Sequence, residues 1–588
     1  MGTCPDELEM TSHCEDLEMR TRPGELEMKS LSDELEMRSR PDELEMRSFP
    51  DELEMRSLPE ELEIRENRIM ESPVGSTDFS FVTASTAGVA FALLAAFVFT
   101  RRPSKKTAGN PSAVYSLPPG PPGWPLLGNI PSMILAGSGS KYLAGLVEKY
   151  GTAFTMYMGS RPVLVLNTYP VMKDALLDGH LLSNRGSLPA LDDYFKGRGV
   201  IGSQYTDYWK KTRSFVIQAL KHFGVNRQCF EGVVASQADH LVDYLHKTFD
   251  EEPCDPLQTL QASVANVMNG VVFAKQYDYE DSRFIHLLQL VHGSLRAIEY
   301  AAVSSLVPGL HYLPGCSYKG FYSKMDKLME FFREQIKEHD ETLDPENPRD
   351  VIDVYLTEIK KTAKVPAENC IFTKTNLEFV VNDLFMAGFE TTANVLYWAI
   401  LLVASHPEIQ ETLHEEADAV IGQNGHAAMS DRQSMPYTMA TLEEAIRYAS
   451  VAISSIRSTT SDMKVAGHLI QPDTWVMLNY EYCSFDPETW SDPLSFKPER
   501  FLNGQGEFQP REELISFSIG KRNCLGERLA RMELFLFFTN ILHNYDLVFP
   551  PDAPAPPIEA QNGGMTRIPH HYKVSFKTRS SSRLSSET

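Results

Sequence analysis

Twenty-two consecutive residues without a charge, Phe79 to Thr100, split this chain into two parts that must fold under different rules. As a helix the run would reach roughly 33 Å, enough to cross the hydrocarbon core of a bilayer. Arg101, Arg102, Lys105 and Lys106 follow at once, and a basic flank marks the cytosolic side. The pattern predicts a single transmembrane anchor over 79–100, with the rest of the chain cytosolic and the preceding segment lumenal. A buried core helix is the competing reading. It is weaker, because the run stands between a segment that cannot fold and a basic linker.

The segment before the anchor, 1–78, holds 23 acidic and 9 basic residues, so −14 of the chain's net −24 lies there. Leu8, Leu17, Leu26, Leu35, Leu44, Leu53 and Leu62 recur every nine residues, mostly within (D/E)-E-L-E-M-R-S-x-P. Nine residues make two and a half helical turns, so successive leucines face opposite sides and form no stripe. Prolines interrupt most later units. One apolar pair per acidic unit cannot offset the entropy of ordering, and the expectation is a disordered tandem repeat.

After the anchor, 101–125 reads as a basic and proline-rich linker, stiffened by Leu117-Pro-Pro-Gly-Pro-Pro-Gly-Trp-Pro125. From 126 to 578 the composition is globular, and 579–588 reads as a disordered tail. Ala153–Met158 and Pro162–Asn167 have strand character. Helical spacing dominates 208–222, 230–249, 256–274, 318–338, 349–361, 375–404 and 407–421. Strand-like material returns at 452–480 and 569–577. The fold class is mainly α with minor β sheets. Eight cysteines are scattered without a C-x-x-C pair, which argues against a disulfide framework or a structural zinc site. The globular part carries only −10, and nothing in its charge pattern points to nucleic acid.

The most chemically loaded stretch is Phe517-Ser-Ile-Gly520-Lys-Arg522-Asn-Cys524-Leu-Gly526, followed at once by a helix-like run from Glu527. Gly520 and Gly526 allow a tight turn around the sulfur, Arg522 offers a fixed positive charge, and a helix N-terminus favours a thiolate. Such a thiolate is a nucleophile or a metal ligand, while cysteine alone is most often a buried thiol. The stretch resembles the haem-binding signature of the cytochrome P-450 family, F-x-x-G-x-R-x-C-x-G, at every specified position. The resemblance makes Cys524 the proximal ligand of a haem b iron, with Phe517, Arg522 and Gly526 as cofactor-binding residues.

Further motifs fall in the same family's order. Ala387-Gly388-Phe-Glu390-Thr391-Thr392, inside a long apolar run, is similar to its oxygen-activation motif, which implies a proton relay through Thr391 and Glu390. Glu444-Ala-Ile-Arg447 with Arg500 of Phe496-Lys-Pro-Glu-Arg-Phe501 resembles its buried structural triad. Alone, an i,i+3 ion pair would mean little. Trp209-Lys-Lys-Thr-Arg213 resembles its W-x-x-x-R, which with Arg457 and Arg522 is expected to bind the haem propionates.

The resemblance implies a P-450 fold, anchored in the endoplasmic reticulum membrane. The enzyme it implies is a haem-thiolate monooxygenase that inserts one oxygen atom into a lipophilic steroid, fatty acid or xenobiotic. Electrons from NADPH would arrive through a membrane-bound flavoprotein reductase, with cytochrome b5 as a further partner. The chain carries no G-x-G-x-x-G module of its own. Lys210, Lys211, Lys521 and Arg531 would form a basic face for an acidic donor. Pocket walls are expected from 187–203, the 290–315 region, the helix around Phe385 and Phe389, 452–456 and 562–566. Two alternatives stay open: an oxygen-independent hydroperoxide isomerase of the same fold, and a non-catalytic haem or lipid carrier. Neither needs the relay.

Overall fold

The apolar run expected as one helix over 375–404 is two helices, Lys374–Gly388 and Glu390–Ala404, hinged at Phe389. The computed structural model describes residues 114–580, apart from 223–227, 308, 313–317, 365–369, 423–424, 562–563 and 565. The repeat segment, the anchor, residues 101–113 of the linker and the last eight residues lie outside the described part. At the hinge, the Thr391 hydroxyl donates to the Ala387 carbonyl at 2.9 Å. Gly388 packs so closely on the helix Leu257–Phe273 that a Cβ there would stand 2.6 Å from the Met268 sulfur. Lys374–Ala404 is the one described helical run long and apolar enough to span a membrane, but it is mostly buried and serves as the axis of the core.

Around this axis pack Leu257–Phe273, Pro436–Ala449 and Glu527–Asn544, with Gln228–Phe249 against two of them. One large apolar cluster joins them, including Leu377, Val380, Phe385, Leu396, Trp398, Phe535 and Phe538. Burial of such side chains contributes roughly 1.5–3 kcal/mol each, which is why helical periodicity marked most of these elements in advance. Helix Ser282–Leu306 was expected only as part of a pocket-covering region. Its N-cap is Asp281, accepting from the Arg283 N–H at 2.8 Å, and it buries Phe284, Leu287, Val291 and Ser294 at helical spacing.

The main sheet has the strand order Ala153–Met158, Arg161–Leu166, Trp475–Asn479, Ser454–Ser458, Asn184–Arg185. Only Arg161–Leu166 and Trp475–Asn479 run parallel, with Val163 opposite Trp475. The sheet thus joins the two ends of the globular part, and its last pair sets Arg185 opposite Arg457. The strand expected at 569–577 is Ser575–Thr578, paired with Tyr545–Val548.

Arg579, expected in the disordered tail, belongs to the fold. Its backbone N–H donates to Asn544 O at 3.0 Å, and its guanidinium reaches Asp418 at 2.8 Å and the His543 carbonyl at 3.0 Å. A side chain with that many charge-assisted bonds outweighs the polar composition that follows it. Arg579→Ala should cost about 1.5–3 kcal/mol, seen as a lowered denaturation midpoint and faster amide exchange in 575–578. Exchange like that of the parent chain would show that the bonds contribute nothing.

Candidate active site

The Cys524 loop starts with a tight turn, Gly520–Arg522. Gly520 has φ +77°, and a Cβ there would stand 2.5 Å from the Leu176 carbonyl oxygen, so only glycine fits. The Cys524 N–H donates to Phe517 O at 2.8 Å, and helix Glu527–Asn544 begins three residues on. The sulfur opens on a cavity of about 420 Å³ whose walls also carry Arg185, Arg213, Asp383, Thr391, Phe517 and Glu533.

Sequence alone suggested that the loop itself would favour a thiolate. In the structure, burial pushes the Cys524 thiol up, and the Gly526 and Glu527 N–H groups and Arg213 oppose it. Arg522 is not the neighbouring charge. Its guanidinium donates to Ser183 O at 2.8 Å, Val200 O at 3.1 Å and Ser203 O, and stacks 3.9 Å above the Trp209 ring. A thiol so placed suits a cation at the sulfur better than free nucleophilic attack.

Arg185, Arg213 and Arg522 line this cavity, and Arg457 lies buried beside Arg185 and Arg522. Burial and the charges of Arg185, Arg457 and Arg213 together press Arg522 down to about 8. Burial and Arg457 likewise lower Arg185 to about 9. Arg213 donates to Asn523 O at 2.7 Å and to its Oδ1 at 2.9 Å. Arg457 is 1 % exposed, and its Nε and Nη1 have no partner among the described residues. Buried cations that repel one another and hold unused donors call for an anion of more than one charge. The two propionates of a haem fit that demand, and the cysteine fits its iron.

Arg185 was not anticipated. It lies in a two-residue strand with no motif around it, and only pairing with Arg457, 272 residues away, brings it here. Trp209 differs from expectation in the opposite sense. Its indole N–H is used on the Val200 carbonyl at 2.9 Å, because Asp383 accepts from the Val200 and Ile201 N–H groups at 2.6 and 2.9 Å and folds that loop inward. Trp209 therefore buttresses Arg522. Burial pushes the Asp383 carboxyl up to about 6.

Thr391 faces the cavity, whereas its neighbour Glu390 does not line it. Burial and the nearby Glu299 carboxylate raise Glu390, with Arg296 opposing. Both belong to the covering helix Ser282–Leu306. Phe517 lies under the Arg531 guanidinium at 5.0 Å, and a Cβ on Gly526 would approach the Cys524 sulfur at 3.9 Å.

Away from the cavity, Glu444 accepts from Arg447 Nε at 2.7 Å and Nη2 at 2.8 Å, from Arg500 Nε at 3.2 Å and from the Lys497 N–H at 2.9 Å. The basic face is smaller than expected. Arg531 is paired with Glu443 and Glu527, and Lys210 with Asp207. Lys211 and Lys521 are exposed.

A mainly helical fold that aims one cysteine and a wall of arginines into a single cavity defines a haem-thiolate protein. Residues 118–576 match the family model for cytochrome P-450. The chain is 37% identical over 469 residues to cytochrome P-450 2C16 of Oryctolagus cuniculus, covering 78% of this chain and 94% of that protein. It is 36% identical to 2C39 of Mus musculus over 467 residues and to 2C21 of Canis lupus familiaris over 468, each covering 78% of this chain and 94% of the relative. The chain belongs to the cytochrome P-450 family and is a haem-dependent monooxygenase, an oxidoreductase whose iron takes a cysteine thiolate.

Glu444→Gln leaves Arg447 and Arg500 buried with their shared countercharge gone. The variant should lose about 3–5 kcal/mol of stability, measured by chemical denaturation of the full chain in detergent. A change below about 0.5 kcal/mol would remove the triad from any account of the fold.

Proposed function

We propose that this chain is a single-pass enzyme of the endoplasmic reticulum membrane, with its catalytic domain in the cytosol. It inserts one oxygen atom from O2 into a lipophilic steroid, fatty acid or xenobiotic. Electrons from NADPH reach it through a flavoprotein reductase, with cytochrome b5 as a second donor. The observation that carries this reading is one cavity bounded by the Cys524 sulfur, the Thr391 hydroxyl and a set of anion-seeking guanidiniums.

Cys524 would hold the iron, and Arg185, Arg213, Arg457 and Arg522 would hold the propionates, with Trp209 keeping Arg522 in place. Haem bound there would supply the oxygen chemistry, with the thiolate as its electron-donating ligand. The protein supplies protons and shape. Thr391 presents a hydroxyl whose own hydrogen bond to Ala387 O keeps it turned along the helix break. Glu390, raised by burial and by Glu299, carries protons toward Thr391 from the side of the covering helix. Phe385 and Phe389, expected in the walls, are wholly buried and do not line the cavity; its apolar lining comes from residues such as Val200, Ile201, Ile217, Leu220 and Leu384, which suits an apolar substrate. Lys211 and Lys521 form the docking face for an acidic electron donor.

The reduced, CO-bound spectrum of the full-length protein should show the red-shifted Soret band of thiolate ligation, and Cys524→Ser should abolish it. Thr391→Ala should keep that band while product per O2 falls by on the order of tenfold or more and peroxide release rises. Unchanged coupling would remove Thr391 from the relay. NADPH-independent turnover of a fatty-acid hydroperoxide would make the enzyme an isomerase instead.

A further inference from the structure

Residues 187–198 form a flap fixed at both ends. On the near side Arg185 pairs with Arg457, and Gly186 packs so tightly that a Cβ there would stand 2.7 Å from Ile456 Cγ2. On the far side the Gly199 N–H donates to Asn376 Oδ1 at 3.1 Å, while Val200 and Ile201 are held by Asp383 and line the Cys524 cavity. Between these points lies the short helix Pro189–Phe195, followed by Lys196, Gly197 and Gly199 at φ +48°, +70° and +73°. A Cβ on Gly197 would meet nothing within 4 Å, which leaves that turn room to move.

Besides packing on Ser282–Leu306, the short helix is held by a reciprocal clasp on helix Lys319–Glu341. The Tyr194 hydroxyl donates to Asp326 Oδ1 at 2.9 Å, and the Tyr322 hydroxyl donates to Asp193 Oδ2 at 2.9 Å. Their rings stack between these two bonds at 5.9 Å and 17°. Each helix thus gives one phenol and takes one, with Tyr322 and Asp326 a single turn apart on the same face. Burial and the facing carboxylate push each phenol up, so both remain donors at neutral pH. Both bonds are exposed to solvent, and water can replace them at modest cost. Beneath the clasp, Tyr194 and Phe195 cover the ring of Phe379 at 6.2 and 5.8 Å. Phe379 is buried and adjoins Val380, a residue of the cavity wall.

We propose that Asp193, Tyr194, Tyr322 and Asp326 form the latch of a gate. Its release lets helix Pro189–Phe195 lift from Phe379 and admits a bulky lipophilic substrate to the Cys524 cavity. The latch determines specificity through size, since only a molecule too large for the closed state waits for opening. A gate that closes again over its ligand scales entry and exit by the same open fraction, so it changes rates and leaves the equilibrium affinity alone. The proposal rests on this cavity being where substrate is oxidised. The Cys524→Ser spectrum tests that separately, and iron-binding probes report access whatever the substrate.

The test uses full-length, haem-loaded protein carrying Tyr194→Phe, Tyr322→Phe or both, changes that remove the hydroxyls and keep the ring stack. Two probes that bind the iron, imidazole and the much larger 1-tritylimidazole, are followed by stopped-flow absorbance at the Soret band. Tritylimidazole should bind and leave faster in each single variant, and by about three- to tenfold in the double one. Its dissociation constant should stay within about twofold of the parent value. Imidazole should bind at the parent rate throughout. Amide exchange in 192–198 should quicken in the same order as the tritylimidazole rates. Unchanged tritylimidazole rates in the double variant, an equal acceleration of imidazole, a dissociation constant that moves as far as the rates, or parent-like exchange in 192–198 would each overturn the proposal. If the double variant does not load haem, the two single variants decide by the same criteria.

Discussion

One buried carboxylate organises the part of this fold that has little regular structure of its own. Glu444 has no exposed side-chain surface, and neither does Arg447. With its charge satisfied from three sides, the Glu444 head group holds two guanidiniums in fixed planes. Those guanidiniums spend their remaining donors on backbone carbonyls: Arg447 on Ser484, Pro493 and Ser495, and Arg500 on Ser491, Asp492 and Ser495. A coil of that length would otherwise bury polar backbone without partners. Trp490, wholly buried, donates to the Cys483 carbonyl at 3.0 Å and closes the same segment from beneath. The path from the sheet to the cysteine loop is thus shaped by side chains rather than by a ladder.

What could be read from sequence was chemistry concentrated in few residues. The ten positions around Cys524 declare themselves because turn, charge and ligand are adjacent, and the helices declare themselves where one face is apolar. The hinge at Phe389 was hidden inside uniform hydrophobicity, although Gly388 and the polar Glu390-Thr391 pair were visible. Arg185 was illegible for another reason. It gains its meaning from a partner hundreds of residues away, Arg457. Arg531 shows the converse error. Its charge was plain, but a charge in sequence does not reveal that Glu443 and Glu527 already neutralise it. Arg579 looked like the start of a polar tail because only the fold brings Asp418 beside it.

The cavity divides its labour between two kinds of element. Cys524 and Arg522 come from one loop and Arg185 and Arg457 from short strands, with Arg213 added from helix Asp207–His222. The Thr391 hydroxyl and Glu390 carboxyl of the proposed relay come from a helix, where spacing along the axis is fixed. The helix break lets one turn of the long axis belong to both groups, exposed to the cavity through Thr391 and to the covering helix through Glu390.

The arginine wall bears on the life history of the protein as well as on its catalysis. Four like charges gathered beside one cavity oppose the last stage of compaction, and a dianionic ligand that binds only the compact state shifts that balance by mass action. By the same linkage, chains without that ligand are the less stable ones and the more open to proteolysis.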